Sequence, residues 1–361
     1  MNVRRFFEYI REPALQMPLI LGMIIYIVAV LYLQHTTPGH ADPIQSIAEI
    51  SDRTKQLSSR IIAGIHINNF PVFSFHKNDF KIDAVVWFRF PVGSESLETI
   101  ENFTFQNGEV IRKSPPIIKT HENFVTVSYQ TVARIKTQLN HAHFPMSDHR
   151  LTLILENRSV TPNEMYFESN ADLFAVAENP ADLMVSTWLP TKKIVRAGYI
   201  KSVLSDSDRH EVHISYPCIA CTIEFTNNSI RDLISLYLPL FMIFFIAFFA
   251  LLADVREHGL RTTLIGGATP SLVLFRLVID NNTPEASNIT KVDYLFYILV
   301  FLSMVLLLFQ VYVFLVDRRT KKLNSRIRDQ QFAVLEKLNN ILFLFIIVFL
   351  VSSFTVTHLL I

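Results

Sequence analysis

A chain of 361 residues that is 50% hydrophobic, with 30 Phe and only 9 Gly, is too apolar for an ordinary soluble protein, and at 18% charged it is too polar to lie wholly within a bilayer. Its formal net charge of +1 leaves no electrostatic footprint for nucleic acid. The 2 cysteines, Cys218 and Cys221, form a single C-x-x-C with no second pair to complete a zinc site. On a strand their side chains point to opposite faces, so they read as small packed residues before a local disulfide.

Residues 1–34 begin with a basic lead (Arg4, Arg5, Arg11) and continue into the uncharged run Met17–Leu33. That run exceeds the usual signal core of about 7–15 residues, which favours a retained anchor. Gly39-His40-Ala41 offers a small-x-small cleavage site, so a signal peptide is the alternative. Residues 35–59 read as a linker followed by a short amphipathic helix, with Ile44, Ile47, Ala48 and Ile50 at helical spacing. From residue 60 to 230 the pattern is that of strands. Phe80, Ile82, Ala84, Val86, Phe88 and Phe90 fall on one face and Lys81, Asp83 and Arg89 on the other. Similar runs recur between turn-rich pieces with no alternating helices. They predict an all-β, antiparallel, immunoglobulin-like sandwich.

Residues 231–361 carry four apolar segments, Leu233–Ala253, His258–Pro284, Tyr294–Val316 and Leu338–Ile361, which predict a four-helix transmembrane domain. Seven basic residues against three acidic ones in the segment 317–337 make it cytoplasmic by the positive-inside rule, as is the Arg-containing N-terminus. The expected protein is multi-pass in the inner (plasma) membrane, with the β domain and C-terminus periplasmic. The second segment is the weakest. Gly266 and Gly267, three threonines, Pro270 and Arg276 interrupt it, and a charge at mid-depth costs about 2.5–3.5 kcal/mol. Held between stronger spans, it reads either as a helix lining a polar pathway or as one packed closely through its glycines.

The order of these parts resembles the pentameric ligand-gated ion channel (Cys-loop receptor) superfamily, over residues 44–361. HFPMSDHRLTL (His143–Leu153) is similar to the family's loop motif, and Trp87 and Trp188 sit where members carry strand tryptophans. LISLYLPLFMIFF (Leu233–Phe245) and NITKVDYLFYI (Asn288–Ile298) resemble the starts of its first and third channel helices. Counting back from Thr290 puts Pro284 at the family's loop proline and Arg261 at the basic residue that opens the pore helix. There are departures. Thr137 and Leu151 stand where animal receptors have loop cysteines, Ser147 stands at the family aspartate with Asp148 after it, and Asn227 replaces a common basic residue. The missing loop cysteines and the short cytoplasmic segment resemble the prokaryotic branch; the N-terminal span is additional.

The resemblance implies a homopentamer gated by its outer domain, with Thr263, Gly267, Pro270, Leu274, Leu277 and Asn281 facing the axis. A glycine and a proline at mid-stripe put the apolar barrier at Leu274 and Leu277, and Pro270 should kink the helix. Arg276 lies off the stripe, with Asp280 or a neighbouring helix as its partner. Asp254, Glu257, Asp280 and Glu285 at the mouths favour cations. Phe144, Pro145, Asp148 and Pro284 form the coupling loops. Phe88, Tyr129, Phe174 and Tyr199 are candidates for an aromatic pocket that takes an unknown small molecule. Protons are the other candidate ligand, because His141, His143 and His149 flank the coupling loop and histidine titrates between about pH 5 and 8. His141-x-His143 is at most a weak metal pair, and no cofactor is implied. Absent G-x-S-x-G, H-E-x-x-H and phosphate-loop motifs, the chain does not read as an enzyme. Besides itself, the implied partners are membrane lipids and inorganic ions. The alternative reading is a non-conducting pentameric sensor that signals to a cytoplasmic partner.

Overall fold

The computed structural model describes residues 13–36, 39–40, 42, 46–137, 139–145, 147–177, 188–205, 211–227, 230–283, 289–321 and 325–360. In chain order these form α1 (Pro13–Thr36), β1 (Gly39–His40), α2 (Asp52–Leu57), β2 (Ser59–Ser74), β3 (Asp79–Pro91), α3 (Leu97–Glu101), β4 (Phe103–Phe105) and β5 (Gly108–Lys113). Then come β6 (Ile117–His121), β7 (Phe124–Ile135), β8 (Ser147–Asn157), β9 (Met165–Glu168), β10 (Phe174–Val176), β11 (Trp188–Ser205) and β12 (Glu211–Asn227). Four helices follow: α4 (Ile230–Phe249), α5 (His258–Asn282), α6 (Lys291–Thr320) and α7 (Ser325–Leu360). The chain divides into a sheet unit and a helical unit, and residues 141–147, expected within the sheet domain, belong to the helical one.

In the sheet unit the strict period-2 alternation of β3 buries Phe80, Ile82, Ala84, Val86, Phe88 and Phe90. They meet Ile61, Ala63, Ile65 and Ile67 of β2 and Val127, Tyr129, Ala133 and Ile135 of β7 in one core with Leu151, Leu153, Ile219, Ile223 and Phe225 of the other sheet. The larger sheet runs β10-β2-β3-β7-β5, with β6 on β7 and β9 on β2; the smaller runs β1-β8-β12-β11, with β4 on β8. The larger sheet is mixed, because the free edge of the long β2 is covered by β9 and β10, both parallel to it. Cys221 lies in the main core and Cys218 in a separate cluster with Ile154 and Ala220, as odd spacing on a strand requires; both are free.

The amphipathic helix expected around Ile44–Ile50 is not found in its described part. Residues 46–50 form no helix, and Ala48 makes an isolated antiparallel bridge to Tyr199 on the free edge of β11. Backbone pairing with that edge satisfies more groups than a single isolated turn of helix would. The close approach depends on Gly198, since a Cβ there would lie 2.3 Å from the Ala48 carbonyl oxygen. The short helix comes later, as α2, capped by Ser51.

The expectation of an all-β antiparallel sandwich followed by a four-helix transmembrane domain is therefore corrected. A membrane-length helix comes first, then a mixed sheet-rich domain over residues 52–227, then three C-terminal helices of spanning length. Among the described residues four helices are long and apolar enough to cross a membrane, namely α1, α5, α6 and α7, as in a multi-pass membrane protein. The apolar part of α4, Leu233–Phe249, is shorter than these. It stops short of the expected Ala253 because Ala250, Leu251 and Leu252 donate to carbonyls three residues back, and Asn339 Nδ2 takes the Leu251 carbonyl at 2.8 Å. The segment 317–337 is also not a plain loop: α6 runs to Thr320 and α7 starts at Ser325.

To the larger of the helical unit's apolar clusters α1 contributes Ile20, Met23, Ile27, Val30 and Leu31. Tyr26 on α1 meets Thr355 Oγ1 on α7 at 2.5 Å. The other face of α1 exposes Met17, Leu21, Ile25 and Val28, a surface suited to lipid.

Candidate ion pathway and coupling loop

Helix α5 is fastened at both ends by arginines. Near its start Arg261 is fully buried, and its Nη2 donates to Asn339 Oδ1 at 2.8 Å. Near its end Arg276 pairs with Asp280 at 2.8 Å, one turn on, and its Nη1 donates to Asp293 of α6. The same guanidinium lies 5.6 Å from the Phe296 ring and 5.7 Å from Tyr297. Asp293 is held in turn by a capping box with Thr290, so a capped helix start supplies the counter-charge for an arginine inside a span. Both partners expected for Arg276 are present together.

These anchors orient the helix. Arg261, Ile265, Ala268, Leu272 and Ile279 are buried, whereas Thr263, Gly267, Pro270, Leu274, Leu277 and Asn281 are all exposed on their own chain. The helix is continuous through Pro270. Proline removes the donor that the Gly266 carbonyl would otherwise receive. On either side of that carbonyl, Thr269 and Ser271 hydroxyls donate to Ile265 and Gly267, both at 2.8 Å. The hydroxyl of Thr263 likewise donates to Gly259 at 2.9 Å. Of the carboxylates expected to favour cations, Asp254 and Glu257 are exposed, while Asp280 pairs with Arg276. Glu285 and Pro284 lie outside the described residues.

The loop after β7 ends in the helical unit. Phe144 joins the helical core, its peptide bond to Pro145 is cis, and the Ala142 carbonyl accepts the Lys291 N–H at 3.1 Å. The three histidines expected to sense protons are placed very differently. His141 is buried; His143 is half-buried, and desolvation followed by the nearby Lys291 charge holds its imidazole below the usual histidine range. His149 belongs to the sheet unit, where it is buried with its Nδ1 3.0 Å from Asp42 Oδ2 and its ring stacked 4.8 Å from Phe75. Asp148 beside it is also buried. Among the described residues, no three His, Cys, Asp or Glu side chains gather as metal ligands.

No family model matches this chain, and no curated protein matches its sequence.

The aromatic pocket is corrected in three of its four members. Phe88, Tyr129 and Phe174 belong to the core between the sheets, because each falls on the inward face of its strand. Burial, with Glu101 adding to it, pushes the Tyr129 phenol up to about 12. Only Tyr199 borders open space, a cavity of about 490 Å³ lined also by Glu49, Ser51, Thr161, Asn163 and Lys201. Three functional candidates had no signal in the sequence: Asp42, Arg150 paired with Glu224 at 2.8 Å, and Asn339. Each is a polar residue whose partner lies far along the chain.

Proposed function

We propose that the chain is a ligand- or proton-gated ion channel assembled from five copies of itself, as in the receptors it resembles, with α5 innermost. The observation that carries this reading is the face of α5 that its own chain leaves uncovered. It combines Thr263, Gly267, Pro270, Ser271 and Asn281 with Leu274 and Leu277. Helices α6 and α7 instead expose Tyr297, Phe301, Leu308, Phe345 and Val348, which suit lipid. A threonine- and glycine-bearing stripe is better covered by copies of itself around water. Leucines at two adjacent levels then close the path by excluding water, since they offer an ion no replacement for its hydration shell. Exposed Asp254 and Glu257 at one mouth favour inorganic cations.

The sheet-rich domain is extracytoplasmic and the basic segment 317–337 cytoplasmic in the inner (plasma) membrane, where anionic lipid headgroups meet its lysines and arginines. One observation favours the second reading, a non-conducting sensor. Buried Asp317 gathers Lys321 at 3.0 Å, His258 at 3.5 Å and Arg328 at 3.6 Å, tying the start of α5 to the basic segment. Reconstitution in planar bilayers separates the two. Pentamers by native mass that carry cation current when the outer solution is stepped from about pH 7.5 to about pH 5, the range in which histidine charges, support the channel. Pentamers silent to that step and to small-molecule screens support the sensor, and a monomer in mild detergent refutes both.

A further inference from the structure

The loop 141–147 leaves the sheet unit after Asn140 and returns to it at Asp148, and no covalent bridge spans its base, since both cysteines are free and lie elsewhere. What spans the base is a carboxylate from the stretch after α1. Asp42 Oδ1 accepts the Asn140 N–H at 2.5 Å, and Oδ2 accepts the Arg150 N–H at 2.8 Å. The His149 ring nitrogen lies 3.0 Å from the same Oδ2, with the Asp42 side chain 1% and the His149 side chain 2% exposed. Arg150 folds back so that its Nη1 donates to the Asp42 carbonyl at 2.8 Å, while its guanidinium pairs with Glu224 on β12 at 2.8 Å. The His149 ring is held from the other side by Phe75 at 4.8 Å and Trp188 at 5.4 Å.

One residue thus takes a donor from each end of the loop. We infer that Asp42 is a positioning residue: its carboxylate is a non-covalent clasp that holds together the two chain segments at the base of the 141–147 loop. A charged acceptor shared by two part-buried N–H groups makes the strong kind of hydrogen bond. Its removal takes the charged acceptor away from two part-buried donors, the costly direction of change. Asparagine at this position is only half a substitute, because its amide nitrogen would face one of the two N–H groups. That the clasped loop carries gating rests on the channel reading above; the clasp itself does not.

Amide hydrogen exchange on the purified full-length protein tests it without any current. In Asp42→Ala the amides of Asn140 and Arg150 should exchange at least about tenfold faster, a loss of about 1.4 kcal/mol of local protection, while amides in β3 keep the wild-type rate. Asp42→Asn should expose one of the two amides and keep the other protected. Unchanged exchange at both amides in Asp42→Ala overturns the clasp. So does an equal rise throughout β3, which would make Asp42 an ordinary fold residue. If Asp42→Ala does not fold, Asp42→Asn decides: faster exchange at one amide with β3 unaltered supports the clasp, and any other pattern overturns it.

Discussion

Arg261 Nη2 donates to Asn339 Oδ1 at 2.8 Å, so a guanidinium with no exposed surface is held by a neutral amide. Asn339 also donates to the Leu251 carbonyl at 2.8 Å, which joins the turn after α4, the start of α5 and the middle of α7 through one side chain. Replacing Asn339 by Ala strands a buried charged donor and should cost about 1–3 kcal/mol, read as a lower melting temperature in detergent. Replacing Arg261 by Met removes the charge together with the need to solvate it. It should cost less than Asn339→Ala and can be neutral, as is common when a buried ion gives way to an apolar side chain of similar volume. The opposite order of stabilities would show that the guanidinium contributes more than the amide that holds it.

The barrier prediction concerns Leu274 and Leu277, both exposed on α5 and one turn apart. Exchanging either for serine adds a hydroxyl per subunit to the proposed constriction and should shift the protein toward a wetted, conducting state, seen as raised resting current. Pro270→Leu puts an apolar side chain at mid-stripe and should move the barrier toward Gly267. Pentameric Leu274→Ser and Leu277→Ser proteins that stay silent would remove the gate and leave the sensor.

Acid should weaken the structure around His143. Its imidazole is held below the usual histidine value by burial and by Lys291, so as pH falls through about 6.5 the unfolded chain takes up a proton that the folded one refuses. Stability therefore declines on acidification until the folded group itself titrates, and above the ordinary histidine range the term vanishes. His143→Gln should flatten this part of a melting-temperature profile between about pH 7.5 and pH 5, and Lys291→Ala should shift it toward higher pH. A profile identical in His143→Gln and wild type would assign the dependence to other groups.

Orientation is open to chemical labelling. With the basic segment inside, Lys321→Cys should react with an impermeant maleimide only after cells are opened, and Lys81→Cys should react on intact ones. The reverse pattern would invert the proposed topology.

Local periodicity made much of this protein legible before any folding was considered. The alternation Phe80–Phe90 determines which face of β3 is buried, because successive strand side chains point oppositely. The same parity separates Cys218 from Cys221. Of the five apolar runs read as spans, four form membrane-length helices and Leu233–Ala253 does not, and a residue four places along the helix identifies Asp280 as a partner of Arg276. Only the tertiary structure decided what depends on distant neighbours. An inward aromatic cannot be told from a ligand-facing one by alternation alone, so Phe88, Tyr129 and Phe174 had the look of pocket residues and are core. The apolar spacing around Ile47 suits a helix, yet an open strand edge at β11 recruits that stretch through a bridge at Ala48. The edge of β2 attracts two parallel strands from more than 100 residues away, which makes the sheet mixed. Asp42 reaches Asn140, His149 and Arg150 across 98, 107 and 108 residues. Hydrogen-bond partners so far apart leave no periodic trace, because proximity at that range is set by the packing of the whole domain and not by the spacing of residues along the chain.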